Sequence, residues 1–274
     1  MRKSRIKTKL AADKPVICVQ LHFQDQSVFE LTALLGYDGI WMDLEHHHHS
    51  VQTANTMIRA ARAGGICDIV ARPAKGEFMR MGRLLEAGAH GIMYPRCDDA
   101  AEAAEVVKWM KFAPKGKRGF DGGNPDTPYC GLPMDEYMKK ANDETFLVLQ
   151  LEEQHAVDRA EQIGAVDGVD VLFLGPGDFS VLSGFPGQWD HPKLWKAYET
   201  VARAAEKTGK WWGTPAFNPE HARKLMEMGA LFFCHSADLV ILKQGLEQII
   251  AQFEPLGFTF DNHITGEGKS YLQG

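Results

Sequence analysis

Residues 68–95 read DIVARPAKGEFMRMGRLLEAGAHGIMYP and contain the repeating unit of the fold. Two short apolar runs, at 68–73 and 91–95, flank a longer stretch at 77–87. The flanking runs are rich in the residue types that favour strands. Apolar residues in the middle stretch recur three and four positions apart, which is the spacing of an amphipathic helix. Because a helix crossover is the usual link between two parallel strands, these residues predict a strand–helix–strand unit with parallel strands.

The same alternation continues through nearly the whole chain and predicts an α/β protein with eight strands. Eight βα units in one chain of 274 residues are typical of a (β/α)8 TIM barrel. We therefore expect a single domain over 1–274, with a basic N-terminal tail at 1–13 and a polar C-terminal tail at 258–274. The expected strands lie at 15–21, 39–44, 68–73, 91–95, 146–151, 171–176, 211–215 and 231–236.

Composition argues against several classes of protein. The net charge is −6, with charges of both signs spread along the chain, so we expect no nucleic-acid partner. No stretch is long and apolar enough to predict a membrane span or a signal peptide. The five cysteines are scattered and form no C-x-x-C pair. This usage favours a cytoplasmic protein without disulfides or a cysteine–zinc site.

One connection is much longer than the others. Residues 114–145, before the fifth strand, are rich in Gly, Pro and Asp. Long connections without regular structure inside a compact barrel are usually lids, binding loops or subunit contacts, and the sequence leaves these three alternatives open.

Polar residues at the carboxyl ends of the expected strands are the candidates for chemistry, because barrel enzymes hold their active sites there. Glu152 follows strand five, and Asp178 follows strand six in the turn GPGDFS. Two carboxylates on adjacent strands form a hard-oxygen site suited to Mg²⁺ or Mn²⁺. Gln150 faces the same side as Glu152, since side chains alternate along a strand. The alternative is that Asp178 merely caps a helix and Glu152 is a solvated loop acid.

Arg72 ends strand three and is a candidate for binding an anion. Its planar guanidinium suits a carboxylate or an enolate oxygen. The structural alternative is an ion pair with Asp43 or Glu45, which is compatible with the functional interpretation.

Four consecutive histidines follow strand two in MDLEHHHHS, residues 42–50. An acid that orients a neighbouring imidazole is a common way to make a general base, and Asp43 with His46 fits that pattern. His47, His48 and His49 are expected to line the rim or face water. A metal site built from the run is less favoured, because consecutive residues on a short loop rarely converge on one ion.

The chain resembles the HpcH/HpaI class II pyruvate aldolases, which are metal-dependent enzymes on a phosphoenolpyruvate/pyruvate-type barrel. The resemblance extends from about residue 5 to residue 253 and consists of seven segments in the family's order. These segments are GYDGIWMDLEH (36–46), VARP (70–73), LLEAGAHGIMYPRCDDAAEA (84–103), PKGKRGF (114–120), LQLE (149–152), VDVLFLGPGDFS (169–180) and MGALFFCHSADLVILKQG (228–245).

The resemblance implies a reaction and a set of roles. The reaction is reversible cleavage of a 4-hydroxy-2-oxo acid to pyruvate and an aldehyde with the help of Mg²⁺, Mn²⁺ or Co²⁺. A homo-oligomer is implied as well, typically a hexamer of three dimers that exchange their last helices. It implies that Glu152 and Asp178 are metal ligands, that His46 with Asp43 is the base, and that Arg72 is the cation that stabilises the enolate. The residues implied to bind pyruvate are Gln150, Gly175, Pro176, Gly177 and Asp178.

Two departures from the family pattern leave the aldehyde undefined. His47 stands where the family usually has a small residue, and the residues after RGF differ from the family's usual arginines or aromatics. Three other functions remain open: an oxaloacetate decarboxylase, a citrate-lyase-like enzyme acting on CoA thioesters, and a non-catalytic binding barrel. A Schiff-base aldolase would need a desolvated lysine, and only Lys75 lies near a strand end.

Overall fold

The computed structural model describes residues 2–264 and shows a closed barrel of eight parallel strands, β1 to β8, paired in sequence order. The α/β prediction of a (β/α)8 TIM barrel is thereby confirmed. Observed strands differ from the expected ones by no more than two residues at either end. They are β1 Val16–Leu21, β2 Gly39–Asp43, β3 Asp68–Arg72, β4 Gly91–Tyr94, β5 Phe146–Leu151, β6 Val171–Leu174, β7 Trp211–Pro215 and β8 Phe232–Ala237.

Helices surround the barrel and return the chain from the end of each strand to the start of the next. The helix expected within 77–87 is present at Phe78–Ala87. The helices are α1 Arg5–Leu10, α2 Gln26–Leu34, α3 Val51–Gly64, α4 Phe78–Ala87, α5 Ala100–Met110, α6 Met134–Glu144, α7 Gln154–Asp158, α8 Ala160–Gly164, α9 Pro176–Leu182, α10 Pro192–Thr208, α11 Pro219–Glu227 and α12 Asp238–Phe253.

Two large hydrophobic clusters form the core of the barrel, and a third, small cluster consists of Phe112, Tyr137 and Ala141. One fills the inside of the barrel and includes Trp41, Phe146, Phe173 and Phe232. The larger cluster lies between the strands and the helices. Alternate residues of each strand contribute to one cluster or the other, which is why the strands are apolar along their whole length.

The basic segment at the N-terminus, described from sequence as a tail, contains a helix that packs against the start of the barrel. Ile6 and Leu10 of α1 are buried in the inner cluster. Ser4 caps this helix, and its hydroxyl donates to Asp68 at 2.6 Å. The two apolar side chains close the barrel end where the strands begin.

The long connection before β5 is present, and part of it is the helix α6. Because it joins a helix to a strand, it lies at the barrel end where the strands begin, away from the strand ends that hold the candidate residues. Arg62, near the end of α3, binds Asp126 of this connection at 3.2 Å. Of the three alternatives, this position argues against a lid over the chain's own strand ends.

Helix α12 leaves the barrel after β8 with little of its surface covered. Only Asp238 and Val240 of this helix are buried. Its exposed apolar side chains include Leu242, Leu246 and Ile249, each about half exposed. Residues 265–274 of the predicted polar tail lie outside the described part of the chain. Among the helices of residues 2–264, none combines the length and apolar character needed to cross a bilayer.

Candidate active site

The candidate residues on β2, β3, β5 and the turn after β6 come together at the strand ends. Asp43 and Arg72 are the last residues of neighbouring strands and are paired in the ladder. Gln150 and Glu152 lie at the end of β5, and Asp178 lies in the first turn of α9. We call this set, with His46 and His47, the mouth of the barrel.

Arg72 and Asp43 form a buried bidentate ion pair. The Arg72 Nε and Nη2 groups donate to the two Asp43 oxygens at 3.0 and 2.6 Å. The guanidinium also lies 4.6 Å from the centre of the Trp41 ring. Burial by itself would raise the pKa of Asp43 and lower the pKa of Arg72. The hydrogen bonds and the attraction between the two charges outweigh burial, so the pKa of Asp43 is lowered and the pKa of Arg72 is raised. Both groups are therefore charged at neutral pH.

The guanidinium has two further polar neighbours at the mouth. Arg72 Nη1 donates to Gln150 Oε1 at 3.4 Å, and Arg72 Nε lies 3.3 Å from Glu45 Oε2. The ion pairs that formed the structural alternative for Arg72 are thus present. They leave the guanidinium fixed in orientation at the site where an anionic substrate would bind.

Glu152 is a buried carboxylate, 3% exposed, that has no cationic partner in direct contact among residues 2–264. The Gln150 side-chain amide and the Arg96 backbone N–H donate to its two oxygens, each at 3.1 Å. Burial, followed by the negative charge of Asp178, raises the pKa of Glu152 to about 8. A carboxylate in this state is stabilised strongly by a cation.

The turn after β6 brings the main chain against this carboxylate. A Cβ atom on Gly175 would lie 2.3 Å from Glu152 Oε1, so only glycine fits there. Asp178 follows at partial exposure, facing the mouth with its negative charge near that of Glu152. Within residues 2–264, no three acidic, histidine or cysteine side chains form a ready metal-binding group. An ion held by Glu152 and Asp178 would therefore need oxygen atoms from substrate and water to complete its coordination.

The predicted contact between Asp43 and the His46 ring is absent. The His46 side chain is 59% exposed, and its Nε2 lies 3.7 Å from Glu45 Oε2. Asp43 instead accepts the backbone N–H groups of Glu45 and His46 at 3.0 and 3.4 Å. The Arg72 guanidinium and the Gln20 side-chain amide also donate to this carboxylate, and the His46 ring points away from it toward Glu45.

His47, His48 and His49 take three different environments. His47 Nε2 lies 3.8 Å from Asp43 Oδ2. His48 is exposed and stacks on His49, whose side chain is buried. The run therefore does not act as four equivalent groups.

Sequence reasoning missed three contributors to the mouth. Gln20 of β1 donates to Asp43 Oδ2 at 3.4 Å, and it precedes the end of its strand as Gln150 does on β5, a parallel that was available in the sequence. Arg96 adopts a left-handed φ of 49° while its N–H binds Glu152. His22 contacts His47 from β1. The last two depend on loop conformations that no local pattern indicates.

Lys75 is held in an ion-pair network that argues against a Schiff-base role. Its ammonium lies 2.7 Å from Asp98 and 3.2 Å from Glu102. Burial lowers the pKa of Lys75, but these two carboxylates outweigh it, so the pKa is raised above its ordinary value. A nucleophilic lysine requires the opposite shift.

Comparison with known proteins shows the family to which the chain belongs. The family model described as HpcH/HpaI aldolase/citrate lyase matches residues 18–243. The chain belongs to this family. Its relatives are aldolases, so the protein is an enzyme of the carbon–carbon lyase type. Aldolases of the HpcH/HpaI family depend on a divalent metal ion.

Three relatives show how far the similarity extends. The chain is 32% identical over 225 residues to a 2-keto-3-deoxy-L-rhamnonate aldolase of Klebsiella pneumoniae, covering 82% of this chain and 84% of that protein. It is 31% identical over 252 residues to a 4-hydroxy-2-oxo-heptane-1,7-dioate aldolase of Escherichia coli, covering 92% and 95%. The crystal structure of an HpcH/HpaI aldolase from Desulfitobacterium hafniense superposes with a TM-score of 0.86 at 30% identity, covering 93% of this chain and 98% of that one.

Proposed function

We propose that this HpcH/HpaI protein cleaves 4-hydroxy-2-oxo acids to pyruvate and an aldehyde, and joins the two in the reverse direction. The observation that supports this most directly is the buried carboxylate of Glu152 beside Asp178, with the Arg72 guanidinium fixed at the same mouth. Two carboxylates and one oriented cation match the chemistry of a pyruvate enolate held at a divalent ion.

Glu152 and Asp178 are the residues that would hold Mg²⁺, Mn²⁺ or Co²⁺. They fit such an ion because Glu152 is buried without a compensating cation and its pKa is raised to about 8. Oxygen donors of this type favour hard divalent ions. When bound, the ion would act as a Lewis acid that lowers the cost of forming the pyruvate enolate.

The protein's own groups orient pyruvate and stabilise its charge. The Gln150 side chain and the turn formed by Gly175, Pro176, Gly177 and Asp178 supply polar groups on the β5–β6 side of the mouth. Arg72 faces the same space and would lie against the enolate oxygen as charge develops there. Because Asp43 fixes the guanidinium in advance, little reorganisation is needed when that charge appears.

The proton step requires an imidazole at the mouth, and the family pattern assigns it to His46. In cleavage, an imidazole nitrogen takes the proton of the 4-hydroxyl group, the C3–C4 bond breaks, and its electron pair remains on the enolate. The aldehyde leaves, and the imidazolium returns its proton to C3 to give pyruvate. In synthesis the same two transfers run in reverse.

The apolar surface of α12 supports a homo-oligomer, with the family's hexamer of helix-exchanging dimers as the proposed form. Leu239, Leu242, Leu246, Ile249 and Phe253 are all at least one third exposed on this helix. Contiguous exposed apolar surface of this kind usually marks a protein interface. Light scattering after gel filtration measures the assembly, and a monomer would contradict the proposal. We place the enzyme in the cytoplasm, in keeping with its scattered cysteines.

Pyruvate release tests the proposed activity. Purified protein is mixed with a panel of 4-hydroxy-2-oxo acids that carry either a second carboxylate or hydroxyl groups in the aldehyde half. Oxaloacetate and a CoA thioester serve as competing substrates. We expect pyruvate from the panel, loss of the signal with a chelator, and its return with Mg²⁺, Mn²⁺ or Co²⁺. Folded protein that releases pyruvate only from oxaloacetate, or from nothing, would contradict the proposal.

A further inference from the structure

A group of imidazoles occupies the β1–β2–β8 side of the mouth, opposite the two proposed metal ligands. It consists of His22 after β1 and His47 and His49 after β2, and we call it the imidazole cluster. The ring centres of His22 and His47 are 4.4 Å apart in an edge-to-face arrangement, and those of His47 and His49 are 6.0 Å apart. The proposed aldolase mechanism assigns no role to this cluster.

Asp238, the first residue of α12, anchors the cluster. Its oxygens lie 3.1 Å from His22 Nδ1 and 2.8–3.0 Å from the backbone N–H groups of His22, Phe23 and Leu239. Burial opposes its charge, but these hydrogen bonds hold the pKa of Asp238 below its ordinary value. Because a carboxylate only accepts, the His22 ring carries its proton on Nδ1 and is fixed in orientation.

His47 lies between this anchored ring and the Asp43–Arg72 pair. Its Nε2 is 3.8 Å from Asp43 Oδ2, and its side chain is 29% exposed. Separations of this length in a substrate-free enzyme commonly shorten when substrate binds. His47 is thus the only imidazole of the histidine run whose ring nitrogen faces the Asp43 carboxylate in residues 2–264.

The charges that face His47 come from four strands and from its own loop. Asp43 on β2 favours the imidazolium, whereas Arg72 on β3 and His22 on β1 oppose it. His46 opposes it from the neighbouring position, and Asp238 after β8 acts only through His22. Burial is the largest influence, and together these groups lower the pKa of His47. A neutral imidazole at neutral pH can accept a proton.

We propose that His47 is a further proton carrier of this active site, held for that task by Asp43 on one side and by the His22–Asp238 couple on the other. This inference rests on the proposed aldolase function. His47 takes the 4-hydroxyl proton during cleavage as the C3–C4 electron pair moves onto the enolate, and it returns the proton to C3, so that protons and electrons balance. His47 thereby carries the proton that the family pattern gives to His46, whose exposed ring lies at the rim near Glu45.

The neighbours of His47 restrict the position of its ring. The His47 ring contacts the His22 ring edge to face, with ring centres 4.4 Å apart. Asp238 fixes His22, and the His22 ring in turn limits where the His47 ring can lie. His22 and Asp238 are accordingly positioning residues.

The test compares His47→Ala with His46→Ala and with His48→Ala as the matched control, because His48 is exposed and stands outside the mouth chemistry. We expect His47→Ala to lower kcat/KM by about 100-fold, the usual size of a lost proton-transfer group. We also expect the acidic limb of its kcat/KM profile to move, and added imidazole to restore part of its turnover. His48→Ala is expected to match the wild type in all three measurements.

Two further readouts separate a chemical role from a structural one. Thermal melting and Mn²⁺ binding by calorimetry, both on the full-length oligomer, are expected to be the same for His47→Ala as for the wild type. Asp238→Asn is expected to shift the acidic limb in the same direction as His47→Ala, with a smaller loss of rate.

Failure of this inference is distinguishable from failure of the proposed function. If the wild type releases pyruvate and His47→Ala behaves as His48→Ala does, His47 carries no proton and the inference is overturned. It is overturned as well if His47→Ala loses activity together with Mn²⁺ binding and gains nothing from imidazole. If the wild type itself releases no pyruvate, the proposed aldolase function is contradicted, and so is the role of His47 that rests on it.

Discussion

The two ends of the barrel hold buried carboxylates in opposite states. At the end where the strands begin, Asp68 of β3 accepts the Ser4 hydroxyl at 2.6 Å and the Ile6 backbone N–H at 2.9 Å. At the end where the strands finish, Glu152 is similarly buried, and its pKa rises to about 8 because of that burial and of the nearby negative charge of Asp178. Asp68 therefore receives hydrogen bonds that hold the first end together, whereas Glu152 has no cation in direct contact among residues 2–264.

This difference shows how stability and chemistry are divided in the molecule. Helix α1 closes the first end with apolar side chains and hydrogen bonds, so the groups there hold the chain together. The mouth keeps two repelling acids and a preoriented guanidinium, an arrangement that costs stability until substrate and ion arrive. Substitutions at the end where the strands begin are therefore expected to change the melting temperature. Substitutions at the mouth are expected to change turnover.

The largest expected effect is at Glu152. Glu152→Gln keeps the shape of the side chain but removes the negative charge, so we expect metal-dependent pyruvate release to fall by roughly 1,000-fold or more. The metal-free variant should melt no lower than the wild type at pH 8, because a buried charge has been removed. An inactive variant that is also unfolded would mean that Glu152 belongs with Asp68 as a structural acid.

Replacement of the guanidinium should have the next largest effect. Arg72→Lys keeps a positive charge but loses the bidentate fork, and we expect kcat/KM to fall by about 100-fold while Mn²⁺ affinity is retained. Arg5→Lys is the matched control, because Arg5 binds Asp38 at 2.8 Å at the opposite end. Equal kcat/KM values for the two variants would remove Arg72 from the proposed mechanism.

At the end where the strands begin, Asp68→Ala should destabilise the protein without lowering kcat. The Ser4 hydroxyl and the Ile6 N–H would lose their acceptor, which costs roughly 2–3 kcal/mol in the free energy of unfolding. For a protein of this size the melting temperature should fall by about 5 °C or more, and kcat measured below the transition should be unchanged. A loss of kcat without a loss of stability would contradict the division between the two ends.

The smallest expected effect is the release of a proton from Glu152 when a divalent metal ion binds to the protein. With its pKa raised to about 8, Glu152 is largely protonated in the metal-free protein at pH 7 and must lose that proton to become a ligand. Calorimetry in buffers of different ionisation enthalpy should show release approaching one proton at pH 7 and little at pH 9. Equal release at both pH values would contradict the raised pKa.

The same shift fixes the direction of the stability change with pH. A group whose pKa is raised by folding supports the fold below its ordinary value of 4.5 and loses that support as pH rises through its folded value. For this site, metal-free protein should become less stable between about pH 4.5 and 8, a trend that Glu152→Gln removes.

Most of the barrel could be predicted from the sequence because its pattern is local. Buried parallel strands are apolar along their length, and the helices between them have regular apolar spacing, so each βα unit is recognisable by itself. Glu152, Asp178 and Arg72 could be located as well, since each lies within two residues of a strand end or in the turn that follows. At the mouth, Arg72 contacts Asp43 and Gln150 directly, and Gln150 contacts Glu152.

Other features depend on contacts between distant segments. The sequence contains no local pattern that predicts the packing of Ile6 and Leu10 from the basic N-terminal segment into the barrel. Nor could it rank four identical histidines, which differ only in their neighbours. The sequence by itself determined the barrel and the types of side chain at its mouth, because hydrophobic periodicity and strand ends can be recognised from residues that are close together in the chain. Only the tertiary structure decided which imidazole faces Asp43, because Arg72 from β3 binds that carboxylate and His22, which follows β1 and is held by Asp238 after β8, contacts the His47 ring.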